Sequence, residues 1–153
     1  MTTDFSHTDR LARLIQLKHD LLAQLHALAR KQVEVVAADE VHRLMAILAQ
    51  KQPLLNQLQA VEQALDPYRR EDADARVWAS REARRACQVV ADRANALLAE
   101  LLQFERQAEA AVIECRDRTS NELATATSAL AARQAYVGGP ATISQAASFS
   151  SEG

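Results

Sequence analysis

The chain has 153 residues, with 18 basic and 20 acidic side chains and a formal net charge of -2. That is one domain's worth of chain, and residues 1–65 and 66–137 are each close to neutral, which excludes the one-signed field that nucleic acid or anionic lipid demands. With one Trp, two Tyr and three Phe, a core must be assembled from Leu, Val, Ile and Ala, side chains that suit narrow helix-helix seams.

No Gly precedes Gly138, and only Pro53 and Pro67 precede Pro140. These are the residues that cost a helix interior most, about 1 and 3 kcal/mol relative to Ala. Their scarcity predicts near-continuous helix from Asp9 to Arg133, with few loops on which to mount an active site. The first helix is expected to open near Thr8, with Asp9 complementing the helix dipole. Its apolar residues, among them Leu11, Leu14, Leu21, Leu25, Leu28 and Val36, recur at three and four. Lys18 and Gln32 interrupt that stripe, which reaches Ala37 or Ala38.

Asp39 is the expected N-cap of a second helix, where Val41, Leu44, Leu48, Lys51, Leu55, Leu58 and Leu65 continue the periodicity. Pro53 should kink it. The short connection at Ala37 to Asp39 admits a tight antiparallel turn or a near-continuous helix, and two comparable amphipathic helices favour the hairpin. Asp66-Pro67 reads as a stop, with Arg69 to Asp74 as a loop or frayed turn.

A third helix is expected from about Asp74, carrying Trp78, Cys87, Ala94, Leu98, Leu101, Phe104, Ala108, Val112 and Cys115. Thr119-Ser120-Asn121-Glu122 has capping-box spacing, predicting a break or restart. The first two helices measure roughly 40–45 Å each, against roughly 90 Å for an unbroken helix from Asp74 to Arg133. Residues beyond about Phe104 must therefore project, fold back or meet a partner. This segment keeps a thin apolar line at Val112, Cys115, Thr119, Leu123, Ala126 and Leu130. It suits docking to a partner helix or service as a fourth bundle helix. Gly138-Gly139-Pro140 is expected to end the helix, and residues 138–153 to form a disordered tail. The expected architecture is all-α: a long antiparallel helical hairpin plus a long third helix, an elongated coiled-coil-like bundle of three to four helices in one domain, residues 1–137.

Catalytic signatures are not found. His19 and His26 are seven apart, but no Glu-x-x-His motif of the kind that builds helical di-iron sites occurs. Glycines are too few for a phosphate loop. Arg81, Arg84 and Arg85 form the tightest basic group, with Glu82 and Asp92 beside them. Cys87 and Cys115 lie 28 residues apart, roughly 42 Å along one helix, too far to pair with each other. They read as small seam residues in a reducing compartment. Met1 to His7 carries no signal-peptide run, and no stretch approaches a bilayer span. The expectation is a cytoplasmic, non-enzymatic protein with no cofactor, no metal, no nucleic-acid partner and no membrane insertion.

One segment is more specific. Lys31-Gln32-Val33-Glu34-Val35-Val36-Ala37-Ala38-Asp39 is followed by Leu44, Leu48, Lys51, Leu54 and Leu55. Further on come Asn95 before Leu97-Leu98, and Tyr136 before Gly138-Gly139. In order and spacing this resembles the FlgN-like family of flagellar export chaperones, over about residues 11–139. Pro53, and Val35 where a small residue is common, depart from that pattern. The resemblance implies a chaperone that binds hook-filament junction proteins, keeps their C-terminal helices soluble and escorts them to the flagellar type III export apparatus, without catalysis or cofactor. Client contacts are then expected on residues 112–137, at Val112, Thr119, Leu123, Ala126, Leu130 and Tyr136, in a monomer or small homo-oligomer. The competing readings are a filament-cap-type flagellar chaperone and a structural coiled-coil protein that self-associates through its third helix.

Overall fold

A computed structural model describes the backbone of residues 3–150 and the side chains of residues 3–137. Among the described residues the chain is all-α. It holds α1 (Ser6–Ala37), α2 (Val41–Arg70), a 3-10 turn (Ala73–Ala75) and α3 (Arg81–Ser150). No strand occurs among them, and no helix is long and apolar enough to cross a membrane. The chain divides into two units, Met1–Val112 and Ile113–Gly153.

The first unit is built on seams of alternating three- and four-residue steps, the spacing that keeps one helix face turned to its neighbours. In α1 the seam is Thr8, Leu11, Ile15, Lys18, Leu22, Leu25, Ala29, Gln32 and Val36; in α2 it is Ile47, Lys51, Leu54, Leu58, Val61, Leu65 and Tyr68. In α3 it runs through Cys87, Ala91, Ala94, Leu98, Leu101, Glu105 and Ala108. Leu11, Leu21, Val61, Leu65 and Tyr68 form one buried cluster. Leu22, Leu25, Ala29, Ala94 and Leu101 form another, packed against Leu54 and Leu58. Leu22 and Leu25 are wholly excluded from solvent, each contributing about 1.5–3 kcal/mol of transfer free energy. Along α1 and α2 the pairings run in opposite order. His7 stacks on Tyr68 with ring centroids 4.6 Å apart, Lys18 meets Glu62 at 2.8 Å, and Lys51 Nζ donates to Gln32 Oε1 at 2.8 Å.

Several boundaries differ from expectation. Asp39 is not the N-cap of α2: it takes a left-handed backbone, φ 57°, and closes α1. The Asp39 amide donates to Val36 O and the Glu40 amide to Val35 O, both at 3.1 Å. That is the Schellman arrangement, with Asp in the place usually taken by Gly, and Glu40 becomes the cap of α2.

Nor does α2 stop at Asp66-Pro67. It runs to Arg70 with Pro53 and Pro67 inside it. Tertiary contacts outweigh the hydrogen bond each Pro removes: Tyr68, one residue past Pro67, is buried and donates from its hydroxyl to His7 O at 3.2 Å. Arg69 meanwhile clasps Asp66 and Glu62, one and two turns back. The following segment is pinned rather than frayed, because the Arg76 guanidinium caps Tyr68 O at 2.6 Å and holds Glu71 at 2.7 Å.

Helix α3 starts at Arg81, not Asp74, since Ser80 Oγ accepts from the Ala83 amide at 3.0 Å and acts as N-cap. Trp78 therefore precedes the helix and packs on the first cluster. At Thr119–Glu122 the helix continues without a break. Gly138-Gly139-Pro140, expected to end the helix before a disordered tail, instead lie inside α3, which runs on to Ser150; residues 151–153 of the expected tail lie outside the described residues.

Leu48 is another correction. It is 41% exposed, and Ile47, at 7%, takes the core position instead. Two neighbouring apolar lines on α2 look like one in the sequence, and only the line through Ile47 and Lys51 faces α1.

Candidate partner-binding surface

Lys18 and Gln32 interrupt the α1 stripe, and both are given partners by other helices. Lys18 pairs with Glu62, which also receives Arg69. Burial pushes the Glu62 carboxyl up, but hydrogen bonds from Lys18 and Arg69 outweigh it and leave the carboxyl below its ordinary range. Gln32, Lys51 and Glu105 make a polar layer contributed by all three helices. The Lys51 ammonium is buried and donates to both Gln32 Oε1 and Glu105 Oε1.

Other chemistry-bearing groups are engaged in the same way. His26 Nε2 lies 2.6 Å from Glu100 Oε2 and its ring meets the edge of Phe104. His7 contacts Glu71 at 2.8 Å, and Arg76 with His7 holds the Glu71 carboxyl below its ordinary range. A cavity of about 170 Å³ is lined by Leu11, Ile15, Leu65 and Tyr68 together with Lys18, Arg69 and Arg76. Those cations are engaged by Glu62 and Glu71. Burial pushes the Cys87 thiol up, partly offset by Arg76, which disfavours the reactive thiolate. Among the described residues no group of three or more His, Cys, Asp or Glu could hold a metal ion.

The second unit offers surface rather than an enclosed site. Every side chain from Arg116 to Val137 is exposed, and the Arg116 guanidinium lies 3.6 Å from the Asp117 carboxylate. Thr119, Leu123, Ala126, Leu130 and Val137 recur at helical spacing, with Leu123 63%, Leu130 55% and Val137 71% exposed. At about 100° per residue they share one narrow face. Tyr136, at 87% exposure, stands about 100° away from that line. It is therefore not part of the same apolar face, whereas Val137, absent from the expected contacts, is. The signal for Val137 was its seven-residue spacing from Leu130. Val112, the last residue of the first unit, is 44% exposed.

No family model, no curated protein and no solved structure matches the chain.

Proposed function

We propose that this protein is a cytoplasmic export chaperone of the FlgN-like kind, which binds hook-filament junction proteins through the second half of α3 and delivers them to the flagellar type III export apparatus. In this reading α1 and α2 form an antiparallel hairpin, α3 completes an elongated coiled-coil-like bundle, and the protein works by binding, without catalysis or cofactor. One observation carries it: Leu123, Ala126, Leu130 and Val137 lie along one helix face and are all exposed. A face with few large residues among Ala and Thr suits an amphipathic helix from a client. The order of motifs from Lys31 to Tyr136 supports the choice of client class.

Titration calorimetry against a purified hook-filament junction protein tests this. Leu123→Glu with Leu130→Glu should weaken binding by more than roughly tenfold, because a few large residues dominate such interfaces. The melting temperature should stay unchanged. Unaltered affinity in the double variant would remove the site from this face.

A further inference from the structure

The exposed line on the second half of α3 is not apolar from end to end. Its alternating steps of three and four run through Arg116, Thr119, Leu123, Ala126, Leu130, Arg133 and Val137, the heptad rhythm of a helix that packs against another helix. An arginine thus stands in the line on either side of Leu123, Ala126 and Leu130. The two are 17 residues apart (133 − 116), about 26 Å along the helix. No carboxylate shares the line: Glu114, Asp117 and Glu122 stand about 70° or more from its axis. Arg133 has no ion-pair or hydrogen-bond partner among the described residues. Arg116 has only the contact with its neighbour Asp117, between side chains 73% and 63% exposed, a pairing too wet to hold the guanidinium in place.

We propose that the partner of this face is a helix with a carboxylate at each end of its apolar seam, placed to meet Arg116 and Arg133. The proposal rests on the reading of this face as a helix-docking surface and adds the charge its partner carries. A helix laid along Leu123, Ala126 and Leu130 strips water from both guanidiniums, and without an acceptor opposite them that loss goes uncompensated. A carboxylate meets the requirement, since its two oxygens match the guanidinium fork. A second copy of the chain does not. An antiparallel copy that pairs Leu123 with Ala126 and Leu130 with Thr119 sets Arg116 against Arg133 at both ends. A parallel copy in register sets each arginine against itself. Either arrangement places like charges together, which works against self-association through this line. Residues 113–137 hold three basic and three acidic side chains, and the whole chain has a net charge of -2. A preference for an acidic partner must therefore come from the line itself.

Two labelled synthetic helical peptides test this by fluorescence anisotropy against the full chain. Both carry the same Leu seam, one with Glu and one with Lys at two seam positions spaced like Arg116 and Arg133. The Glu peptide should bind more than roughly tenfold tighter than the Lys peptide, and added salt should narrow the gap. Arg116→Glu with Arg133→Glu should reverse the order of the peptides and leave the melting temperature unchanged, since both positions are exposed. Equal binding of the two peptides, binding of neither, or an order that survives the double reversal would overturn the proposal. A purified hook-filament junction protein, titrated in parallel, should lose more than roughly tenfold in affinity on the same double reversal. If it binds parent and variant alike, the acidic-partner inference falls and the client reading stands. If the Glu peptide binds with the expected reversal and the junction protein does not bind, the inference holds and the client class is wrong.

Discussion

Helix α3 carries the same three-and-four spacing in both units, with opposite outcomes. In residues 81–112 it places Cys87, Ala94, Leu101 and Ala108 in the core, all at most 8% exposed. In residues 113–137 the comparable positions Thr119, Leu123, Ala126 and Leu130 are exposed. Periodicity identifies which face a helix can offer. Whether that face is buried depends on what other segments supply opposite it. Residues 81–112 meet Leu22, Leu25 and Leu58, while residues 113–137 present their line to solvent.

The sharpest way to break this contrast is truncation on each side of it. Leu25→Ala and Leu101→Ala should each cost about 2–5 kcal/mol in denaturant unfolding. Leu123→Ala, Leu130→Ala and Leu48→Ala should stay within about 0.5 kcal/mol. Comparable losses in both sets would mean that the exposed line is covered in solution.

A smaller effect, of about 1–2 kcal/mol, is expected for Glu105→Ala, which leaves the buried Lys51 ammonium with Gln32 alone on a side where the half-exposed Glu105 had let water approach. Replacing both charges, Lys51→Met with Glu105→Leu, should recover most of that loss in the same unfolding measurement. A double variant as unstable as the single one would show that the layer adds net stability.

Acidification gives a third test. Glu62 and Glu71 both sit below their ordinary value of 4.5 in the folded chain. A carboxyl with a lowered folded pKa contributes stability that is complete above its unfolded value and is lost as pH falls through the folded one. Melting temperature should therefore decline as pH drops below about 4.5, and Glu62→Gln should flatten the decline. An unchanged slope in that variant would show that other carboxylates dominate.

The smallest effect concerns Trp78, whose indole N–H is buried without an acceptor among the described residues. Trp78→Phe removes that donor, and the benefit should offset much of the lost packing, leaving unfolding within about 1 kcal/mol of the parent. A loss of several kcal/mol would imply that the N–H has a water or backbone partner.

The sequence made the helices legible because Ala, Leu, Gln and Arg fill them and Gly is missing before position 138. Their ends were less legible. Asp39 has the side chain of an N-cap, yet its own left-handed backbone closes the preceding helix. Tyr68 and Arg69 hold α2 beyond Pro67 by contacts 61 and seven residues away, invisible to a local reading. The Thr119 to Glu122 box could not act as a cap because the surrounding residues already favour helix. Leu48 was misplaced because Ile47 and Leu48 begin adjacent lines with the same period. The thin, Ala-rich line through Leu123 and Leu130 fitted either a docking helix or a fourth bundle helix, so their exposure was not legible in the sequence, and Tyr136 leaves their line on angle alone.

The layer of Gln32, Lys51 and Glu105 bears on a problem of counting. Seams of Leu and Ala that repeat every seven residues look nearly the same after one helix slides by a heptad, about 10 Å. A slipped arrangement would keep most of its apolar contacts and compete with the native one. It could not keep Lys51 between Gln32 and Glu105, and a slip that set Lys51 against Leu25 would leave an ammonium stranded beside a side chain that cannot accept a hydrogen bond. The layer thus acts as an index mark on an otherwise repetitive scale, widening the energy gap between the native alignment and its nearest rivals.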